Sequence, residues 1–308
     1  MGPSSGGLNS SISLTNMPGV YMSDQPHTIS RREFAALSLA VGATAVAGVS
    51  AAASAATETD VQVHTPSGVC DAALIHPQGN GRWPAVILFV DAFGLRPAMR
   101  DMAKRLAAGG YTVLVPNPYY RSTKPPGLEP GFDFTNPADR AKLEALRAPL
   151  TSDAVMQDAI AYVKFLDAQS SVDKKAKMGV FGYCMGGPMT MQAAAALPER
   201  IGAGASFHGG GLVTDKPDSP HLLVPKMKAQ YYFGVAANDD ERQPDAKTKL
   251  DEAFHAANLP AKIEVYDGTL HGWCVKDMPL QNGKPVYNET AAERAWNELV
   301  SLYKRAHV

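Results

Sequence analysis

Val180-Phe181-Gly182-Tyr183-Cys184-Met185-Gly186-Gly187 joins an apolar run, Lys177 to Tyr183, to an alanine-rich run, Met185 to Leu197. The pattern predicts a strand, a tight turn and a helix. Gly182 and Gly186 stand two residues before and two after Cys184, where a sharp turn needs residues without side chains so that strand and helix can pass closely. The side chain between them is presented above the sheet, at the positive end of the following helix. A thiol placed there ionises more easily than a free one. The stretch therefore points to a cysteine nucleophile. The plainer reading of the same residues is a small buried cysteine on a glycine-rich turn.

Outward from this turn, strands and helices alternate. Val61–His64 and Cys70–His76 read as two short strands around the turn Thr65-Pro66-Ser67-Gly68. Pro84–Val90 and Tyr111–Val115 are continuous apolar runs, the mark of strands buried on both faces. Pro97–Ala108 has helical spacing and stops at Gly109-Gly110. Residues 121–150 break the rhythm as a polar, proline-rich insertion, of the kind that often serves as a lid. Ser152–Ala168 reads as a helix, Ala203–Phe207 and Gln230–Val235 as strands, Ala246–Ala257 as a helix, Lys262–Tyr266 as a strand and Ala291–Arg305 as a closing amphipathic helix. The expectation is an α/β fold: a doubly wound, mostly parallel sheet with helices on both faces. Sites in such sheets lie beyond the carboxyl ends of the strands.

A cysteine nucleophile needs a base, and the base needs an orienting acid. Two loops that follow strands supply candidates. Gln230–Val235 runs into Ala236-Ala237-Asn238-Asp239-Asp240, and Lys262–Tyr266 into Asp267-Gly268-Thr269-Leu270-His271-Gly272-Trp273. Asp239 is the candidate acid, although aspartates in such loops also cap helices. Among eight histidines, His271 alone follows the last strand beside glycine and an aromatic residue. His208, in the loop after Ala203–Phe207, competes with it, either as a substrate contact or as a strand cap.

These residues resemble the dienelactone hydrolase, or carboxymethylenebutenolidase, family of α/β-hydrolases. The resemblance covers most of residues 61–308. It rests on Asp91-Ala92-Phe93-Gly94, on Pro116-Asn117-Pro118-Tyr119-Tyr120-Arg121, on the stretch around Cys184 and on Leu270-His271-Gly272. It implies Cys184 as nucleophile, Asp239 as acid and His271 as base, in the chain order usual for the fold. It implies an oxyanion hole at the N–H groups of Ala92 and Met185, where negative charge develops during attack. It further implies that Asp91 modulates the thiol and that Arg121 binds a substrate carboxylate. Tyr120, His208 and Trp273 are further candidate substrate contacts. Two departures stand out. Family members that open dienelactone carry glutamate where this chain has Asp91, and arginine where it has Val275. Hydrolase chemistry therefore transfers better than dienelactone as substrate.

The leading expectation is a hydrolase of a carboxylic ester or lactone, working through a Cys-His-Asp triad and a thioester intermediate. Alternatives are hydrolysis of another acyl bond, such as a thioester or amide, and a non-catalytic binding protein on the same scaffold. No tight His/Cys/Asp cluster has metal-ligand spacing, so neither metal nor cofactor is expected. Formal net charge is −1 across 308 residues, with no basic tract in the folded part, so nucleic acid is not a favoured partner. Residues 1–29 are rich in Ser, Gly and Pro and read as a disordered extension. Residues 30–56 read as a twin-arginine-type export signal: Arg31-Arg32, an uncharged run from Ala35 to Ala56, and a small-x-small cleavage site at Ala53-Ser54-Ala55. This predicts a periplasmic or secreted catalytic domain over 57–308 with no stable membrane association once the signal is removed. The alternative is a membrane anchor through residues 35–56. Three cysteines, Cys70, Cys184 and Cys274, make no disulfide framework, although one pair could form.

Overall fold

The computed structural model describes residues 56–129, 131–281 and 283–308. The disordered extension and the export signal expected from the sequence lie outside these residues, apart from the signal's last position. Within the described residues, eight strands form one sheet in the order β1-β2-β4-β3-β5-β6-β7-β8. These are β1 (Ala56–Thr65), β2 (Gly68–Pro77), β3 (Ala85–Phe89), β4 (Thr112–Pro116), β5 (Met178–Tyr183), β6 (Ile201–Phe207), β7 (Gln230–Ala236) and β8 (Ala261–Tyr266). β1 and β2 form an antiparallel hairpin, and β2 runs antiparallel to β4. From β4 to β8 every neighbouring pair is parallel.

Parallel strands must be joined by crossovers, and here most carry helices: α1 (Pro97–Ala108), α3 (Ser152–Asp167), α4 (Gly186–Ala196) and α6 (Ala246–Ala256), with α7 (Glu289–Arg305) closing the chain after β8. The sheet is covered on both faces. Ala85, Ile87 and Phe89 of β3 join one core cluster with Val155 and Tyr162 of α3, Met189 of α4 and Phe254 of α6. Val86 and Leu88 point the other way, into a second cluster with Met99 and Leu106 of α1 and Leu299 and Leu302 of α7. Alternation along one strand thus feeds both cores. It also explains why β3 is apolar throughout: all five residues are buried. Leu299 and Leu302 are 0% and 1% exposed, and burial of each contributes roughly 1.5–3 kcal/mol.

The fold class agrees with the sequence expectation. The main differences are additions. The insertion at 121–150 carries a helix of its own, α2 (Pro137–Arg147). It starts where Asn136 accepts a hydrogen bond from Ala138 N–H and Pro137 opens the first turn. Of its residues only Leu143 is buried, so the apolar periodicity that reveals a helix is nearly absent. A short helix, α5 (Ala237–Arg242), follows β7 directly, and a 3₁₀ segment spans Pro220–Lys226. No helix among the described residues is long and apolar enough to cross a membrane.

The strand order reverses between β3 and β5. The chain moves from β3 outward to β4, then returns to lay β5 on the other side of β3. A crevice opens at the carboxyl ends of two strands at such a reversal. The residues flanking it are Asp91 and Ala92 after β3, and Cys184 and Met185 after β5.

Candidate active site

Cys184 occupies the turn between β5 and α4 with φ of 52°. Few residues other than glycine adopt this conformation, and it persists only when the surroundings enforce it. They do so through backbone contacts. A Cβ on Gly182 would lie 2.3 Å from the carbonyl oxygen of Gly186. A Cβ on Gly186 would lie 2.2 Å from that of Phe89, at the end of β3. Helix α4 therefore presses its first turn against both strands. The Cys184 N–H donates to Phe207 O at 3.1 Å, and its carbonyl accepts from Gly187 N–H at 3.1 Å. With its backbone held at both ends, the half-buried thiol stands over the crevice.

Asp239 lies in α5 and His271 in the loop after β8, at the same edge of the sheet. His271 Nδ1 is 2.7 Å from Asp239 Oδ2. The backbone N–H of His271 donates to Asn238 Oδ1 at 2.8 Å, fixing the loop to the same helix. Burial disfavours the charged imidazole. Hydrogen bonding and charge from Asp239 and Cys184 more than offset this and push the His271 pKa up to about 10. The structure thus brings Cys184, His271 and Asp239 into one interacting group, in the order expected from the sequence.

The N–H groups of Ala92 and Met185 have no acceptor among the described residues, and the two residues flank the β3/β5 reversal. Tyr119 holds the two residues together: its hydroxyl donates to Ala92 O at 2.8 Å and contacts Met185 Sδ at 3.3 Å. Burial pushes the Tyr119 phenol up, so it remains a donor. The sequence reading missed this residue and chose its neighbour. Tyr119 and Tyr120 look equivalent in the motif, and only the backbone direction after β4 distinguishes them.

Several expected contacts lie elsewhere. The Tyr120 hydroxyl is 2.6 Å from Thr65 Oγ1 and donates to Asp158 Oδ1 at 2.8 Å. Arg121 makes a two-pronged ion pair with Asp158 at 2.8 and 2.9 Å. Both residues tie the β1–β2 hairpin to α3, through Thr65 and Ser67 on one side and Asp158 on the other. Trp273 is 0% exposed and stacks on Tyr266 with ring centroids 4.2 Å apart, so it belongs to the core. His208 is also buried, with φ of 39°. Its ring stands edge-on to His271, centroids 4.7 Å apart. Burial first, and then the neighbouring His271, hold its pKa well below the usual histidine range. It is a neutral ring packed behind the candidate base.

Asp91 has partners that the sequence did not foresee. Its carboxylate is buried and gripped by Arg96 through hydrogen bonds of 2.6 and 2.9 Å, and it accepts the Phe93 N–H at 2.9 Å. Arg96 continues to Asp277 with two bonds of 2.8 Å. Asp91 therefore shares one guanidinium with Asp277, and burial outweighs that partner and pushes its pKa up. Asp91 fixes the loop that carries Ala92. The three cysteines are all free, with Cys70 and Cys274 buried.

Comparison with known proteins shows the family and the fold. The model of the dienelactone hydrolase family matches residues 70–307. A Methylorubrum extorquens protein named "Putative carboxymethylenebutenolidase" is 29% identical over 291 residues, covering 90% of this chain and 94% of its own. A Synechocystis protein of the same name is 28% identical over 237 residues, covering 75% and 89%. Among solved structures, the "Putative Dienelactone Hydrolase" of Klebsiella pneumoniae has the same fold. It has a TM-score of 0.69 at 22% identity, covering 81% of this chain and 99% of its own.

The raised His271 pKa gives a test of this arrangement. A pKa raised on folding stabilises the native state fully below the unfolded histidine value near 6.5, and that stabilisation disappears as pH rises through about 10. Asp239→Asn removes a hydrogen-bonding charge from the ring, so the His271 midpoint should fall by one unit or more, about 1.4 kcal/mol per unit. Imidazole NMR titration of both proteins reads this directly. An unchanged midpoint would mean that Asp239 does not govern the ring.

Proposed function

This chain belongs to the dienelactone hydrolase family and is a hydrolase of that kind; from this premise we propose that it cleaves a carboxylic ester or lactone through a Cys184–His271–Asp239 triad. The observation that carries the reading is the elbow at Cys184: a non-glycine residue held at φ 52°, with His271 and Asp239 gathered at the same sheet edge. In the resting site, the His271 ring lies between the Cys184 sulfur and Asp239, and both favour its charged form.

The thiolate attacks the substrate carbonyl carbon and forms a C–S bond. The carbonyl electron pair moves to oxygen, and the resulting oxyanion is received by the N–H groups of Ala92 and Met185. The intermediate collapses and the C–O bond to the leaving alkoxide breaks. His271 gives that oxygen its proton, leaving a thioester on Cys184 and a neutral imidazole. Water then attacks the thioester as His271 takes its proton. Departure of the Cys184 thiolate restores the pair. With a lactone the leaving oxygen remains in the same molecule, and the product is an open hydroxy acid. Asp239 keeps the ring in one tautomer and balances its charge in both halves.

Carboxylate recognition by the residues that the family resemblance singles out is not supported. Arg121 is committed to Asp158, and Val275 is 0% exposed. The reading therefore stays at an ester or lactone and does not extend to dienelactone itself.

Export of the catalytic domain by a twin-arginine route is part of the same proposal. It is motivated by Arg31-Arg32 before the alanine-rich run. Arg31→Lys with Arg32→Lys should keep the protein in the cytoplasm. Normal export of that variant, or a mature protein that retains residues 35–56 in the membrane, would overturn it.

Cys184→Ala should lower kcat for simple aryl esters and lactones by several orders of magnitude, about 10⁴-fold or more as for other catalytic triads. Cys184→Ala retaining more than a few per cent of wild-type turnover would exclude the thiol as nucleophile.

A further inference from the structure

A second cavity lies on the face of the sheet opposite α4, between α1, α7 and the loop after His271. Its volume is about 400 Å³. Neither Cys184 nor His271 lines it; it is bounded by Tyr183, Phe207, Tyr287 and Trp296 together with the apolar side of α1. A cavity of this size suits a molecule of one or two rings. Four aromatic rings favour a flat, conjugated body, because stacked and edge-on contacts add to simple burial.

Two polar features narrow the choice. Tyr183 is 3% exposed and lines the cavity, as do Cys274 and Arg105, and its hydroxyl makes no hydrogen bond to the described residues. A hydroxyl without a protein partner gains a hydrogen bond from a ligand that supplies one. The charges at the rim are mostly matched. Arg105 pairs with Glu293 at 2.8 Å and lies over the Trp296 ring at 4.3 Å. Asp277 pairs with Arg96 and Asp101 with Lys104. Lys276 lines the same cavity, lies 5.8 Å from the Tyr287 ring centroid and has no carboxylate partner among the described residues. Arg96 also serves Asp91 and Lys104 also serves Glu58, so what stands out is Lys276, a lining cation with no carboxylate in salt-bridge reach among the described residues.

We propose that this cavity is a binding site, separate from the catalytic crevice, for a small aromatic carboxylic acid. The ring lies among Tyr183, Phe207, Tyr287 and Trp296, and the carboxylate is drawn to the Lys276 ammonium at the rim. The Tyr183 hydroxyl donates to, or accepts from, a polar substituent on the ring. The site also touches the machinery from behind. Tyr183 immediately precedes Cys184, and Phe207 immediately precedes His208, whose ring abuts His271.

The test uses Cys184→Ala protein, in which no substrate is turned over, with 4-hydroxybenzoate as probe and cyclohexanecarboxylate and benzyl alcohol as controls. Calorimetry and saturation-transfer NMR should show one saturable site for 4-hydroxybenzoate and weaker binding of both controls. Lys276→Gln should weaken the probe by about fivefold, and Tyr183→Phe by a similar factor. Ala295→Phe, which fills the cavity from α7, should abolish binding. With Cys184 restored, Lys276→Gln and Ala295→Phe should retain ester hydrolysis, which also shows that they fold. Lys276 is exposed, so its variant keeps the test decisive should the filling variant fail to fold. The absence of saturable binding, equal affinity in Lys276→Gln, or displacement of the probe by an ester substrate would each overturn the proposal. The last would place the probe in the catalytic crevice.

Discussion

The close passage of α4 against the ends of β3 and β5 is the constraint on which the site depends. Gly186 sits against the Phe89 carbonyl with no space for even one carbon, and Gly182 sits against Gly186 in the same way. The turn between strand and helix then has room only if Cys184 adopts a left-handed conformation. That conformation is strained for cysteine, and the packed sheet maintains it. One consequence is positional: the thiol is lifted over the sheet. Another is electrostatic: the N-terminus of α4, with the free N–H of Met185, lies beside it. The loop that carries Ala92 is brought alongside because β3 and β5 are neighbours in the sheet. The ion pair from Asp91 to Arg96 and the clamp from Tyr119 then hold the loops on either side.

The charges around the thiol follow a consistent arrangement. His271 is favoured as a cation by Asp239 and by the sulfur. His208 behind it is kept neutral by burial and by that same cation. Two charged imidazoles 4.7 Å apart would repel strongly in a partly dry site, and burial of one prevents this. The carboxylates nearest the crevice are partnered: Asp91 by Arg96, and Asp239 by His271 and Arg242.

The sequence made some of this legible because local chemistry encodes it. Glycines at fixed distances from Cys184 have no role in an ordinary helix start, so they identify the turn. Uninterrupted apolar runs such as Ala85–Phe89 mark strands covered on both faces. The positions of Asp239 and His271 followed from strand ends, which periodicity locates well. What stayed hidden depends on partners distant in the chain. Nothing local says that Arg121 will meet Asp158, or that Arg96 will bridge Asp91 and Asp277. Resemblance therefore assigned Arg121 and Asp91 to substrate and thiol, while the fold uses them to fix loops. Helix α2 was hidden because a single buried leucine leaves no apolar stripe. Tyr119 and Tyr120 could be distinguished only by the side of the strand end on which each side chain falls.

The central claim is that the thiol of Cys184 becomes covalently acylated. Rapid acid quenching during turnover of a slow aryl ester, followed by intact-mass and peptide mass spectrometry, tests it most directly. The account predicts a transient acyl adduct on the peptide containing Cys184, labile to hydroxylamine as a thioester is and absent from Cys184→Ser. Turnover without any adduct at Cys184, or an adduct on another residue that forms and decays at the catalytic rate, would contradict it.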